Sequence, residues 1–357
     1  MIRRWTLLGL GVLFAPAMRS ADAAVITNTF LDRTNASDLR VAQLNVFNDS
    51  IFADVNSIRS QKFARMVRAV DADVWALQEC YNHTPAQLKA LMDTIAPQGG
   101  SGWYVFKNGF NEHAIVSKYP ISLTANNTAP AGYRAVAMAR IDLPDANFAR
   151  DLYFMNAHYR CCGDTLNDPD RQKQSDAFVN WMRDARTPGG SIDLPDQTAM
   201  MVLGDFNIVG GPQPLNTLLD GNIQNNLTYG GDSPPDWDGT ANAQAIAYQN
   251  AVAGGDTWTW RDDTQIYNPG RLDYITYTDS VLAIQKSFVL NTVTMTAADR
   301  ATAGLQTYDS IYDNVGSVYD HLPVIADFQM TVPEPSTGLL MIAAAVLTGL
   351  RRRRSLG

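Results

Sequence analysis

Short apolar runs in this chain keep stopping at a compact oxygen- or nitrogen-bearing side chain. Leu39-Arg40-Val41-Ala42-Gln43-Leu44-Asn45 closes on an amide, Val74-Trp75-Ala76-Leu77-Gln78-Glu79 on a carboxylate, and Leu152-Tyr153-Phe154-Met155-Asn156-Ala157-His158 on an imidazole. Met200 to Leu203 is a buried-strand candidate that leads into Gly204-Asp205-Phe206-Asn207. Arg271-Leu272-Asp273-Tyr274-Ile275 sets one acid in an aromatic and β-branched stretch, and Val318-Tyr319-Asp320-His321 ends like the others. Asp205 and Asn207 lie two apart, so an extended backbone points both side chains the same way. Asp320 and His321 are adjacent, so a turn must bring both to one pocket. Asn, Glu, Asp and His are the groups that hold a hard divalent cation and move protons. The fold is therefore constrained to one that gathers the ends of distant strands around a single cavity.

Taken in order, Gln43-Leu44-Asn45, Leu77-Gln78-Glu79, Asn156-Ala157-His158, Gly204-Asp205-Phe206-Asn207, Leu272-Asp273-Tyr274 and Asp320-His321 resemble the endonuclease/exonuclease/phosphatase family. That family includes DNase I-like nucleases, abasic-site endonucleases, sphingomyelinases and inositol-phosphate phosphatases. Asn111-Glu112-His113-Ala114-Ile115-Val116-Ser117-Lys118-Tyr119-Pro120-Ile121 resembles its glycine-rich central strand, with His113 in place of the small residue usual there. The resemblance runs from about Leu39 to Phe328. It implies an α/β sandwich of the four-layer DNase I-like kind, with two mostly antiparallel sheets face to face, helices outside and the site at one end. One fold of this kind hosts many chemistries, so it says little about substrate.

The resemblance also implies roles. Glu79 is the main metal ligand, with Asn45 and Asp320 nearby, around Mg²⁺ or Mn²⁺; such a cation keeps waters and substrate oxygens, so a sparse protein set suffices. His321 pairs with Asp273, which holds the ring and stabilises its charged form. Asp205 aligns or deprotonates the attacking water, Asn207 holds a phosphate oxygen, and His158 adds a second donor with Glu112 as its partner. Tyr133-Arg134 and Arg171 either contact phosphate or pack. Against these stand plainer readings: Glu79 as a capping or surface carboxylate, Asn45 as a turn residue, and the histidines as structural. The expected reaction is in-line attack of water on a phosphate ester, without a covalent enzyme intermediate. A nuclease acting on extracellular DNA or RNA leads. A phosphodiesterase or phosphatase on phospholipid headgroups or small phosphate esters, or a catalytically silent envelope or matrix binding protein, are the rivals.

Charge bears on that choice. Lys and Arg number 28 against 36 Asp and Glu, a net charge of -8, with no basic run inside the domain. A protein that grips long nucleic acid through many phosphates usually shows one. Length alone, 357 residues, allows two or three domains. The motifs instead spread along one catalytic domain over 24–331, expected to be a monomer. At the start, Arg3-Arg4, the apolar stretch Trp5 to Phe14 and Ala21-Asp22-Ala23 read as a signal peptide over 1–23. At the end, Val332-Pro333-Glu334-Pro335, apolar Gly338 to Leu350 and Arg351 to Arg354 resemble the PEP-CTERM sorting signal of Gram-negative bacteria, which an exosortase processes. The segment over 332–357 is shorter in its apolar part than the ~20 residues of a simple span, so a transient membrane anchor is expected. Both ends point out of the cytoplasm, to the envelope or beyond.

Export changes the reading of three cysteines. If Glu79 and His158 converge, Cys80 should neighbour Cys161 or Cys162, and a disulfide to one of them is expected. Between the motifs, Gln61 to Val70, Thr84 to Ile95 and Asp170 to Asp184 have helical spacing, the second opened by a Thr84-Pro85 start signal. Gly230 to Ala243 and Ala297 to Asn314 read as loops that frame the cleft.

Overall fold

The structure is a computed structural model that describes residues 27–47, 56–81, 83–107, 112–128, 135–262, 267–310 and 320–331. The expected signal peptide, the sorting segment over 332–357, and Tyr133-Arg134 lie outside the described residues. Among the described residues no helix is long and apolar enough to cross a membrane.

In chain order the first half runs β1 (Leu39–Asn45), α1 (Ile58–Val70), β2 (Val74–Gln78), α2 (Pro85–Ile95), β3 (Tyr104–Lys107), β4 (Ala114–Ser117), β5 (Ile121–Thr128), β6 (Ala135–Ile141) and β7 (Leu152–His158). The second half adds α3 (Asp168–Ala185), β8 (Ala199–Asp205), α4 (Gln213–Asp220), α5 (Asn226–Tyr229), β9 (Ala243–Gln244) and β10 (Tyr248–Gln249). It closes with β11 (Asp273–Tyr277), β12 (Leu282–Val289), α6 (Ala297–Ala303) and β13 (Val324–Met330). The three helices expected from spacing form, and their caps show why. Ser57 accepts from the Ser60 amide to start α1. Thr84 and Gln87 make a reciprocal capping box ahead of α2.

Seven strands form one sheet in the order β10-β12-β13-β1-β2-β4-β3, and six form the other in the order β5-β6-β7-β8-β11-β9. Alternation along each strand sorts the side chains into three apolar layers. Between the sheets lie Val41, Ala76, Ile115, Phe154, Leu203 and Ile275. Outside the first sheet, Trp75 and Leu77 pack on Phe63 and Met66 of α1 and Leu88 of α2. Outside the second, Tyr153 and Met200 pack on Phe178 and Met182 of α3 and Leu218 of α4. Helix, sheet, sheet, helix is the expected four-layer sandwich.

Topology explains where the polar strand ends go. β1 pairs parallel with β2 and brings Asn45 level with Gln78; β7 pairs parallel with β8 and brings His158 level with Asp205. Parallel neighbours need a crossover, which α1 and α3 supply, so each pair finishes at the same edge. β11 runs antiparallel to β8, so its first residue, Asp273, faces Asp205. β13 runs antiparallel to β1, with Val324 opposite Gln43, and so His321 just before it reaches that edge too. Beneath the edge a set of polar contacts spans the sheets. Gln78 of β2 donates through Nε2 to Asn156 Oδ1 of β7 at 2.7 Å, and Asn156 Nδ2 donates to the carbonyls of Leu77 and Ala114, each at 2.9 Å.

Two expectations need correction. Ala297 begins a helix, capped by Thr296 and ended by Gly304 in the left-handed region, so among the described residues of that stretch only 304–310 are loop. No disulfide joins the cysteines: Cys80 is buried, Cys161 half-buried and Cys162 exposed, all as thiols. Cys80 joins the apolar layer under α1 and α2, while Cys161 and Cys162 line the cleft. The left-handed turn at Glu79 breaks strand alternation, so Glu79 faces the cleft while Cys80 returns to the side of Trp75 and Leu77, away from the pair.

Candidate active site

Asp205, the last residue of β8, is the hub. Its Oδ2 accepts from Asn45 Nδ2 at 3.2 Å and faces His158 Nε2 at 3.3 Å and His321 Nε2 at 3.5 Å. Its Oδ1 accepts from the Asn207 amide at 3.0 Å. Burial pushes the Asp205 carboxyl above its ordinary range, and the two imidazoles oppose that rise. Gly204 makes the approach of β8 possible. Its φ is +136°, and a Cβ there would meet the Ala157 carbonyl oxygen at 1.9 Å.

Each imidazole has its own carboxylate behind it. His321 Nδ1 lies 2.8 Å from Asp273 Oδ2, and His158 Nδ1 lies 3.4 Å from Glu112 Oε2. Burial disfavours the charged His321 ring, but Asp273, Asp205 and Asp320 outweigh it and hold its pKa well above the usual imidazole value. Thr259 accepts the backbone amides of Leu272 and Asp273 at 3.0 and 3.1 Å, which anchors the start of β11.

Oxygen donors gather beside the hub. Asn45 Nδ2 donates to Glu79 Oε1 at 3.1 Å. Glu79 takes a left-handed φ of +65° directly after β2, a conformation that costs about 1–3 kcal/mol outside glycine and collects at functional sites. Asp320 accepts from Trp260 Nε1 at 3.0 Å through Oδ2, while its Oδ1 is buried without a hydrogen-bond donor among the described residues. Burial raises the Asp320 pKa and the neighbouring Glu79 charge adds to the rise. A buried oxygen without a donor, next to a second carboxylate and an amide, suits a hard cation with oxygen ligands. Asp205, Asp273 and His321 also offer ligand atoms within 4.8 Å of one another. There, however, the His321 Nδ1 is committed to Asp273 and Asp205 Oδ2 already faces three nitrogens.

A cavity of about 650 Å³ opens on this edge. Asn45, Glu79, His158, Asp205, Asn207, Asp320 and His321 line it, while Glu112 and Asp273 stand behind their imidazoles. Asn207 reaches it differently from the expectation. Its φ of +49° is left-handed, so a turn, not an extended strand, brings it back to Asp205. Arg171 packs rather than binding: it is fully buried, bonded to Asp168 and to the carbonyls of Arg160 and Cys162. The loops expected to frame the cleft, Gly230 to Ala243 and the described part of the Ala297 region, contribute none of its lining residues among those described. Cys161 to Gly163, Ile208-Val209 and the segment carrying Trp260, Tyr267 and Arg271 do so instead. Nothing in the strand pattern marks that segment before Arg271, because it reaches the site through isolated bridges of Trp260 to Gly270 and His321.

A model described as the Endonuclease/Exonuclease/phosphatase family matches residues 42–294, more than half of the chain. The chain belongs to that family. Members of the endonuclease/exonuclease/phosphatase family are metal-dependent phosphoesterases. A second model, the PEP-CTERM protein-sorting motif, matches residues 331–354 and marks the chain for export and envelope sorting in Gram-negative bacteria. No curated protein matches by sequence. Among solved structures, the human Nocturnin catalytic domain is 15% identical and covers 83% of this chain and 95% of its own, with a TM-score of 0.50. D. rerio TDP2 complexed with single-strand DNA product is 14% identical over 82% of this chain and 99% of its own, at 0.52. An endonuclease/exonuclease/phosphatase from Bacteroides vulgatus is also 14% identical, over 82% and 99%, at 0.51. At such identities the likeness is one of fold.

Proposed function

We propose that this chain is an exported, divalent-metal-dependent phosphoesterase that cleaves phosphodiester bonds by in-line attack of water, acting as an extracellular nuclease. The observation that carries the reading is the Asp205 carboxylate facing Asn45, His158 and His321, with each imidazole backed by its own acid. Asp205, its pKa raised by burial, aligns the water and accepts its proton. His321, held charged by its three acidic neighbours, and His158 donate to the phosphoryl oxygens, where charge builds in the transition state. Asn207 Nδ2 donates to the Tyr159 carbonyl at 3.3 Å, and an amide nitrogen carries a second hydrogen for a phosphate oxygen. Glu79, Asp320 and Asn45 would hold Mg²⁺ or Mn²⁺, which when bound supplies positive charge to the phosphoryl group.

The mature enzyme would be a monomeric domain over 24–331, freed of a signal peptide over 1–23 and handed to an exosortase through 332–357 after transient membrane anchoring. A second reading, a phosphodiesterase or phosphatase on phospholipid headgroups or small phosphate esters, is favoured by one observation. Among the described residues lining the cleft, Arg271 is the single Lys or Arg, and its guanidinium donates to the Ala245 carbonyl and stacks 4.4 Å over Tyr274. A panel of bis-p-nitrophenyl phosphate, plasmid DNA and sphingomyelin, each with Mg²⁺, Mn²⁺ or EDTA, separates these readings. Cation-dependent cleavage of plasmid is the expected result, whereas cleavage of sphingomyelin alone transfers the case to the second. No hydrolysis of any substrate leaves the silent binding protein.

A further inference from the structure

We propose that His113 is a positioning residue for His158, acting through the Glu112 carboxylate between them. His113, Glu112 and His158 are 0%, 2% and 2% exposed, so three ionisable side chains share one dry space. Glu112 lies between the two rings at ion-pair range: Oε2 is 3.4 Å from His158 Nδ1, and Oε1 is 4.0 Å from His113 Nε2. The two rings meet edge to face, with centroids 6.4 Å apart at 70°. A buried imidazole where a small side chain would serve costs desolvation, and here that ring abuts both members of the neighbouring pair.

Which nitrogen of a histidine carries the proton is set by what the other nitrogen bonds. A carboxylate fixed at His158 Nδ1 therefore decides what His158 Nε2 presents to Asp205 and to the cavity. With His113 gone, Glu112 gains room to turn away and the ring loses its fixed partner. Packing alone makes a different forecast, because phenylalanine at 113 fills the space but puts no ring nitrogen beside the Glu112 carboxylate.

The chain has four histidines, His83, His113, His158 and His321, so ¹⁵N-labelled protein allows each ring to be followed by its nitrogen–proton correlations. In H113F and H113A the His158 pattern is expected to move from one proton arrangement to a mixture. H113Q, which keeps a donor near Glu112, should stay close to the parent. For whichever substrate is turned over, kcat in H113F should fall about 10-fold with KM little changed, and adding E112Q to H113F should cause little further loss. A parent-like His158 pattern in H113F overturns the proposal, as does a kcat loss no larger than the loss of folded protein. If H113A does not fold, H113F and H113Q decide. The kinetic arm rests on the phosphoesterase reading. If no substrate is turned over that reading fails, and the ring spectra still decide the role of His113.

Discussion

The two ends of β1 bury charge in opposite ways. At its start, Arg40 grips Asp327 with two bonds of 2.6 and 2.7 Å and donates to the carbonyls of Leu31 and Val70 at 2.7 and 2.9 Å. Asp73 beside it accepts the Arg40 amide and pairs with Arg33 and Lys118. Five residues on, about 17 Å along an extended strand, Asn45 enters a cluster where acids outnumber cations. There Asp320 Oδ1 and Asp273 Oδ1 are buried without hydrogen-bond partners among the described residues. Native proteins satisfy nearly all such atoms, and the exceptions call for a reason. The saturated end is a structural clamp. The unsaturated end keeps its capacity for a ligand, and the contrast separates buried charge that holds the fold from buried charge that does chemistry.

The sharpest way to break that contrast is to cut the clamp. Arg40→Ala strands a buried carboxylate and should cost about 3–5 kcal/mol of stability, read by denaturant titration, with turnover per folded molecule unchanged. An equal loss of specific activity would erase the distinction. At the other end Asp205→Ala, His321→Ala and Glu79→Ala should each lower kcat by about 10²-fold or more, close to 2.7 kcal/mol of barrier, while the melting curve barely moves. A variant that stays folded and keeps parent turnover loses its assigned role. Next comes the cation: at ten times its dissociation constant Mg²⁺ or Mn²⁺ should stabilise the fold by about 1.4 kcal/mol, and EDTA should remove both that gain and the activity. Asp320→Asn should abolish the thermal shift; an unchanged shift moves the cation elsewhere. Smallest is a change that belongs to neither end. Thr84→Ala opens the capping box of α2 and should cost about 1 kcal/mol with no kinetic effect.

Much of this was legible because the strands that carry the site are buried along their whole length. β1, β2, β7 and β8 show no exposed position, so each reads as an apolar run with a polar stop. The turn that takes Cys80 away from Cys161 and Cys162 was not legible, because nothing in Gln78-Glu79-Cys80 marks Glu79 as left-handed. Asn207 misled for a different reason: asparagine enters the left-handed region readily, and two residues of strand spacing cannot reveal that the strand has already ended. Trp260 and Tyr267 left no trace in the pattern. They reach the cleft from a stretch of loop whose course depends on β13 and β11 being in place, and such long-range contacts have no local signature. Loop residues of the Gly230 stretch looked equally suited to frame the cavity, yet Asp236 there is buried and bonded to Ser280 and to the Trp237 amide.

The Gln78–Asn156 bond acts as a dowel between two plates. Asn45, Glu79 and Glu112 ride on one plate, His158, Asp205 and Asp273 on the other, and the constellation exists only while the plates stay aligned. A sideways slip of an ångström would leave every strand intact and every cap in place, yet pull the reacting groups out of reach. Gentle heating should therefore silence this protein before it melts.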